Sequence, residues 1–161
     1  MSRIKAILAA VALTPSLSAC GFTPLYGQGS EARLAAHAIT VDVADDRFGY
    51  HLRRALESRL GVPSDPRYTL AVTSSSERIG LGLSGSNIAS RYDLQVRVRY
   101  ALSENGTGTI ITQGERMVNA SYDSPHSPYA GMAAAMDAEV RAAEQAATTI
   151  ELDIARALAR N

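Results

Sequence analysis

The sequence predicts an α+β fold, a β-α-β-β-β-α two-layer sandwich with a four-stranded sheet and two helices on one face. Three observations carry this expectation. Four stretches alternate apolar and polar residues with a period of two, two stretches repeat with the helical period, and turn or cap residues separate them. The 161 residues, 46% of them apolar, suffice for one ordinary domain and are too few for two comfortable ones.

From His37 to Ala44 the chain alternates, with Ile39, Val41 and Val43 on one face and Thr40 and Asp42 on the other, as in a half-buried strand. Asp45 or Asp46 then caps a helix whose Phe48, Leu52, Leu56 and Leu60 fall four residues apart, and Gly61 and Pro63 end it. Tyr68, Leu70 and Val72 restart the period of two in a second strand. Residues 74–90 are rich in Ser and Gly and read as a long connection, with room at its ends to extend the flanking strands.

The third strand has the clearest pattern. Tyr92, Leu94, Val96, Val98, Tyr100 and Leu102 alternate with Arg91, Asp93, Gln95, Arg97 and Arg99. Asn105-Gly106 marks a hairpin turn, and Thr109 to Tyr122 forms the fourth strand. Its alternation falters around Gly114 and Met117-Val118, where a bulge is expected. Ser127-Pro128 opens the last helix. Met132, Met136, Val140, Ala143, Ala147, Ile150, Ile154 and Leu158 step along it by three and four, over about 30 residues or ~45 Å. Leu152 lies off this stripe and is expected to face a partner.

Several function classes drop out on composition. Sixteen basic and sixteen acidic residues cancel, which removes the basic signature of a nucleic-acid binder. One cysteine supports neither a disulfide framework nor a multi-cysteine zinc site. Gly80, Gly82 and Gly85 satisfy G-x-G-x-x-G, but they lead into a strand, not into the helix that a dinucleotide site requires. His37, His51 and His126 lack short metal-ligand spacing, and no G-x-S-x-G nucleophile pattern is present. The sequence gives no positive evidence of catalysis, and no catalytic residue, cofactor or metal is assigned.

The N-terminus carries its own signal. Arg3 and Lys5 precede the apolar run Ile7 to Leu13, which is too short to span a bilayer and reads as an export signal over residues 1–19. Leu17-Ser18-Ala19-Cys20 resembles a bacterial lipobox, in which the cysteine is lipidated, becomes the new N-terminus and is acylated again. Cys20, the only cysteine, is therefore the expected attachment site, and two or more acyl chains suffice for stable anchoring. Gly21 at the next position, in place of Asp, implies sorting to the outer membrane. Residues 20–36, with Gly21, Pro24, Gly27 and Gly29, read as a lipidated tether, and residues 37–161 as the folded domain.

The mature start Cys20-Gly21-Phe22-Thr23-Pro24-Leu25-Tyr26-Gly27 resembles that of the LPS-assembly lipoprotein family LptE. The strand opening Arg91-Tyr92-Asp93-Leu94, the Tyr122-Asp123-x-Pro125 junction and the Ala-rich helix with Ala142-Ala143-Glu144-Gln145 follow the same layout. The resemblance implies a β-α-β-β-β-α domain that plugs the lumen of the outer-membrane β-barrel LptD and assists its assembly. It also implies lipopolysaccharide binding during transport to the outer leaflet, from a lipid-anchored position on the periplasmic side, without catalysis.

Some members of that family place basic lipopolysaccharide contacts in the loop before the third strand and just before the last helix. Here residues 79–90 and 123–131 hold no Lys or Arg, so those roles find no match. Arg78, Arg91, Arg97 and Arg99 are the lipopolysaccharide-binding candidates by location. Those on the third strand share a solvent-facing side with Asp93 as the expected acidic neighbour. Leu81, Leu83 and Ile88 are the candidates for barrel contact. The alternative reading is another outer-membrane lipoprotein adaptor in envelope or barrel assembly. A cell-wall hydrolase is disfavoured by the missing catalytic pattern.

Overall fold

A computed structural model describes residues 37–83, 89–124 and 127–160. The elements are β1 (Ile39–Val43), α1 (Arg47–Leu60), β2 (Tyr68–Leu83), β3 (Ala89–Glu104), β4 (Ile110–Asp123) and α2 (Pro128–Leu158). The sheet runs β1-β2-β3-β4. β1 is parallel to β2, because α1 carries the chain back between them, and the hairpin-connected β2, β3 and β4 are antiparallel. The expected β-α-β-β-β-α order and two-layer architecture are both present.

The period-two residues form one floor. Ile39, Leu70, Val96, Val98 and Leu102 are fully buried against Leu52, Leu56 and Leu60 of α1 and Ile150 and Ile154 of α2. α1 starts where Asp46 Oδ1 accepts the Gly49 amide at 2.6 Å. It stops at Gly61, whose φ of 82° is open to glycine at little cost. α2 starts at Ser127-Pro128, with the Ser127 side chain accepting from the Ala130 amide. Its buried Ala138, Ala142, Ala143, Ala146 and Ala147 add little bulk and let α2 lie close to its neighbours.

Three local expectations need correction. The stretch 74–90 is mostly strand: the β2–β3 ladder continues from Tyr68↔Glu104 to Leu81↔Arg91 and on to Leu83↔Ala89. Ile79, Leu81 and Leu83 alternate with Gly80 and Gly82, which favour a loop reading, and Glu77, Arg78, Gly80 and Leu81 are all exposed, so no buried face marks the strand. Nor does a bulge interrupt β4 at Gly114 or Met117. The register with β3 is unbroken there and shifts only between Leu102 and Ser103, beside the turn.

Met132 and Met136, placed on the core stripe by their spacing, are 53% and 39% exposed. The two helices run in the same direction, with Arg47 paired to Glu139 at 2.7 Å and Arg59 to Glu151 at 3.5 Å. α1 has 14 residues and α2 has 31, so nothing on α1 lies level with the first turns of α2.

Candidate functional site

Alternation along β3 puts Arg91, Arg97 and Arg99 on the sheet face away from the helices, and all three are exposed. Their expected isolation from carboxylates does not hold. Glu115 lies across from Arg99 on β4 and pairs with Arg99 at 2.6 Å and Arg97 at 3.3 Å. Asp123, across from Arg91, pairs with it at 2.9 Å. Asp93 and Glu77 lie on the same face, Asp93 accepting from the Ser121 hydroxyl at 2.9 Å, so the three arginines sit among carboxylates and are paired by two of them, Glu115 and Asp123. Surface pairs of this kind contribute little to stability, yet they cancel the field that bare guanidinium groups would project.

Sequence reasoning missed Glu115 and Asp123. A tight Asn105-Gly106 turn would set Arg99 opposite Thr112 and Arg91 opposite Ala120. The turn is longer, with the Glu104 amide donating to the Thr109 carbonyl, and the register shifts again between Leu102 and Ser103, which brings Glu115 opposite Arg99 and Asp123 opposite Arg91.

Arg78 stands apart from the other candidates. It pairs with Leu94 in the ladder and so faces the helix side of the sheet. Its guanidinium lies 5.9 Å from the Tyr122 ring centroid, and Tyr122 stacks on Tyr92 at 5.6 Å with 21° between the planes. Burial pushes the Tyr122 phenol up, opposed by the neighbouring Arg78 charge. No carboxylate pairs with Arg78 among the described residues. The four arginines therefore do not form one cluster: three are neutralised on the outer face, and one is free on the inner face.

Leu81 is 41% exposed and pairs with Arg91 on the outer face. Leu83 pairs through its backbone with Ala89. Cys20 and Ile88 lie outside the described residues.

A second polar centre ties the sheet to α2. Asp153 accepts from the Tyr100 hydroxyl at 2.7 Å and pairs with Arg116 at 2.6 Å. Burial, then the Asp153 hydrogen bond, push the Tyr100 phenol up to about 12. Gly114, opposite Tyr100, has no Cβ, and a Cβ there would sit 2.6 Å from the Tyr100 hydroxyl oxygen. The glycine that suggested a bulge is instead the gap through which Tyr100 reaches Asp153. Arg116 thus belongs to the helix side, away from Arg97 and Arg99. All three partners are engaged, which marks a structural junction.

Among the described residues there is no group of three or more His, Cys, Asp or Glu able to hold a metal, and no helix is long and apolar enough to cross a membrane.

The comparisons with known proteins agree with this architecture. The family model described as "LptE: Lipopolysaccharide-assembly" matches residues 36–158. A crystal structure from Caulobacter crescentus CB15, described as that of a lipoprotein, is 33% identical with a TM-score of 0.69. The match covers 80% of this chain and 95% of that one. The minor lipoprotein of Acinetobacter baumannii shares the fold at 16% identity and a TM-score of 0.56, over 73% of this chain and 90% of its own. The comparison with curated proteins gives no match. With the family model spanning the whole sandwich and the Caulobacter structure matching it at this identity, the chain belongs to the LptE family of lipopolysaccharide-assembly lipoproteins.

Proposed function

We propose that the protein is a non-enzymatic outer-membrane lipoprotein that plugs and helps assemble an LptD-type β-barrel and binds lipopolysaccharide on its way to the outer leaflet. Residues 1–19 serve as the export signal, Cys20 carries the lipid, residues 20–36 form the tether and residues 37–161 the plug. Family membership over residues 36–158 is the observation that carries this reading.

The geometry supports it in two ways. A plug meets a polar lumen wall, and the outer sheet face offers Gln95, Asn119 and Ser121 among its exposed or half-exposed residues, with the cross-strand ion pairs between them. Lipid A phosphates need unpaired donors, and Arg78 is available beside the Tyr92–Tyr122 stack. Arg91, Arg97 and Arg99 contribute to lipopolysaccharide binding only by exchanging their present carboxylate partners.

Photo-crosslinkers at Leu81, Leu83 and Ile88 test the barrel contact in cells, against probes at Arg97 and Arg99. Capture of the barrel at the Leu81 group is the expected result. Capture only from the arginine face moves the contact to that face, and capture of no barrel at either set contradicts the plug.

A further inference from the structure

α1 is shorter than α2, and the difference leaves a cleft on the inner side of the sheet. Arg47, in the first turn of α1, holds Glu139 of α2 through two hydrogen bonds of 2.7 and 2.8 Å. Pro128–Ala138, about 16 Å of helix, therefore extends beyond the start of α1. Within this stretch Tyr129, Met132 and Met136 stand five helical turns before Ala147, Ile150 and Ile154, so each pair points the same way. The three later residues are fully buried and the three earlier ones are exposed. They face the space that a longer α1 would fill.

The floor changes with the wall. Leu70 and Val72, on the inner side of β2, belong to the core, whereas Ser74, Ser76, Arg78 and Gly80 follow them on that side. At the α1 end lies a cavity of about 200 Å³ lined by Phe48, Ser74, Ser76, Leu94 and the Arg47–Glu139 pair. Two carboxylates border it and both are engaged, Glu139 by Arg47 and Asp46 by the Gly49 amide. Arg78, two residues on from Ser76, reaches over the Tyr122 ring and has no carboxylate partner among the described residues.

We propose that this cleft is a lipid site, seating an acyl chain against Met132 and Met136 and an adjoining phosphate on Arg78. Methionine is unbranched and polarizable and adapts to flexible apolar groups. A guanidinium offers phosphate two parallel hydrogen bonds. A ligand both acylated and phosphorylated satisfies wall and floor together. Arg91, Arg97 and Arg99 stand on the opposite sheet face, away from this wall. The cation comes from β2 itself, since residues 79–90 and 123–131 hold no Lys or Arg. With the function proposed above the ligand is lipopolysaccharide, an identity that rests on that reading.

Photo-crosslinking residues at Met132 and Met136 of the full-length chain read the occupant in cells. Controls stand at Arg97, on the outer sheet face, and at Gln145, two and a half turns on from Met136 and so on the opposite side of α2. Capture of lipopolysaccharide from Met132 and Met136, and not from Gln145, is the expected result. Capture from Arg97 alone overturns the cleft and leaves lipopolysaccharide binding standing. Capture at no position overturns that reading as well. Capture of a phospholipid, of the barrel or of residues 20–36 of the same chain, in place of lipopolysaccharide, assigns the cleft to that occupant and overturns the proposal.

Lipopolysaccharide affinity of the purified full-length chain is the second readout. Arg78→Gln and Met136→Glu should each weaken it about tenfold. Gln145→Glu adds the same charge as Met136→Glu and should leave it within about twofold. All three positions are exposed, so the unfolding midpoints should stay near wild type. Unchanged affinity in Arg78→Gln or Met136→Glu, or an equal loss in Gln145→Glu, counts against the cleft.

Discussion

Tyr100, Gly114 and Asp153 show how single positions set both shape and pH response. Tyr100→Phe removes one hydrogen bond while Asp153 keeps Arg116, so a loss of about 1 kcal/mol is expected in urea unfolding. Gly114→Ala should cost more, because its methyl would displace the Tyr100 ring. The phenol is raised from 10.0 to about 12 in the folded state. The unfolded chain therefore ionises first as pH rises. The stability that Tyr100 contributes is intact below pH 10 and is lost between about 10 and 12, by linkage. Unfolding followed across that range should show a larger loss in the wild type than in Tyr100→Phe, where the raised Tyr122 phenol still contributes.

Glu115 offers a different kind of test. Replacing it with Gln releases Arg97 and Arg99 together. Lipopolysaccharide affinity of the full chain should then rise roughly tenfold, since hydrogen bonds to charged groups contribute about 1.5–3 kcal/mol. Unchanged affinity assigns phosphate recognition to the Arg78 side alone.

At the scale of elements, α2 divides into two halves. Its C-terminal half packs under α1 and against the sheet, and Ile150 and Ile154 are fully buried. Ile150→Ala or Ile154→Ala should lower stability by about 2–5 kcal/mol. Met132→Ala and Met136→Ala, beyond the reach of α1, should stay within about 0.5 kcal/mol. Denaturant midpoints compare the four directly. The same division explains what could be read in advance. β1, β3 and α1 were legible because each buries one face, so periodicity reported their type and side. The far half of β2 was not, since no residue from Ser76 to Leu81 is fully buried and Gly80 and Gly82 favour a loop reading. The methionine stripe was legible as a pattern but silent about length, because spacing alone does not say where the covering helix begins. The arginines of β3 were assigned to the correct face. Their neutralisation by β4 depends on a register set by a turn longer than Asn105-Gly106 and by the shift between Leu102 and Ser103, neither of which the sequence marks.

For the whole molecule, membership of a lipopolysaccharide-assembly family and a rigid two-layer sandwich are joined to an N-terminus whose cysteine is the proposed anchor. Cys20→Ala should leave the precursor uncleaved and without acylation, read by metabolic labelling with a fatty-acid analogue; label retained on the variant would remove the anchor. The central claim is that this domain works inside a barrel. Purification of the tagged, full-length chain from outer membranes in mild detergent tests it most directly. A stable complex of one chain with one LptD-type barrel, carrying lipopolysaccharide, is the expected result. Recovery of the chain alone, or with a partner other than a barrel, would contradict it.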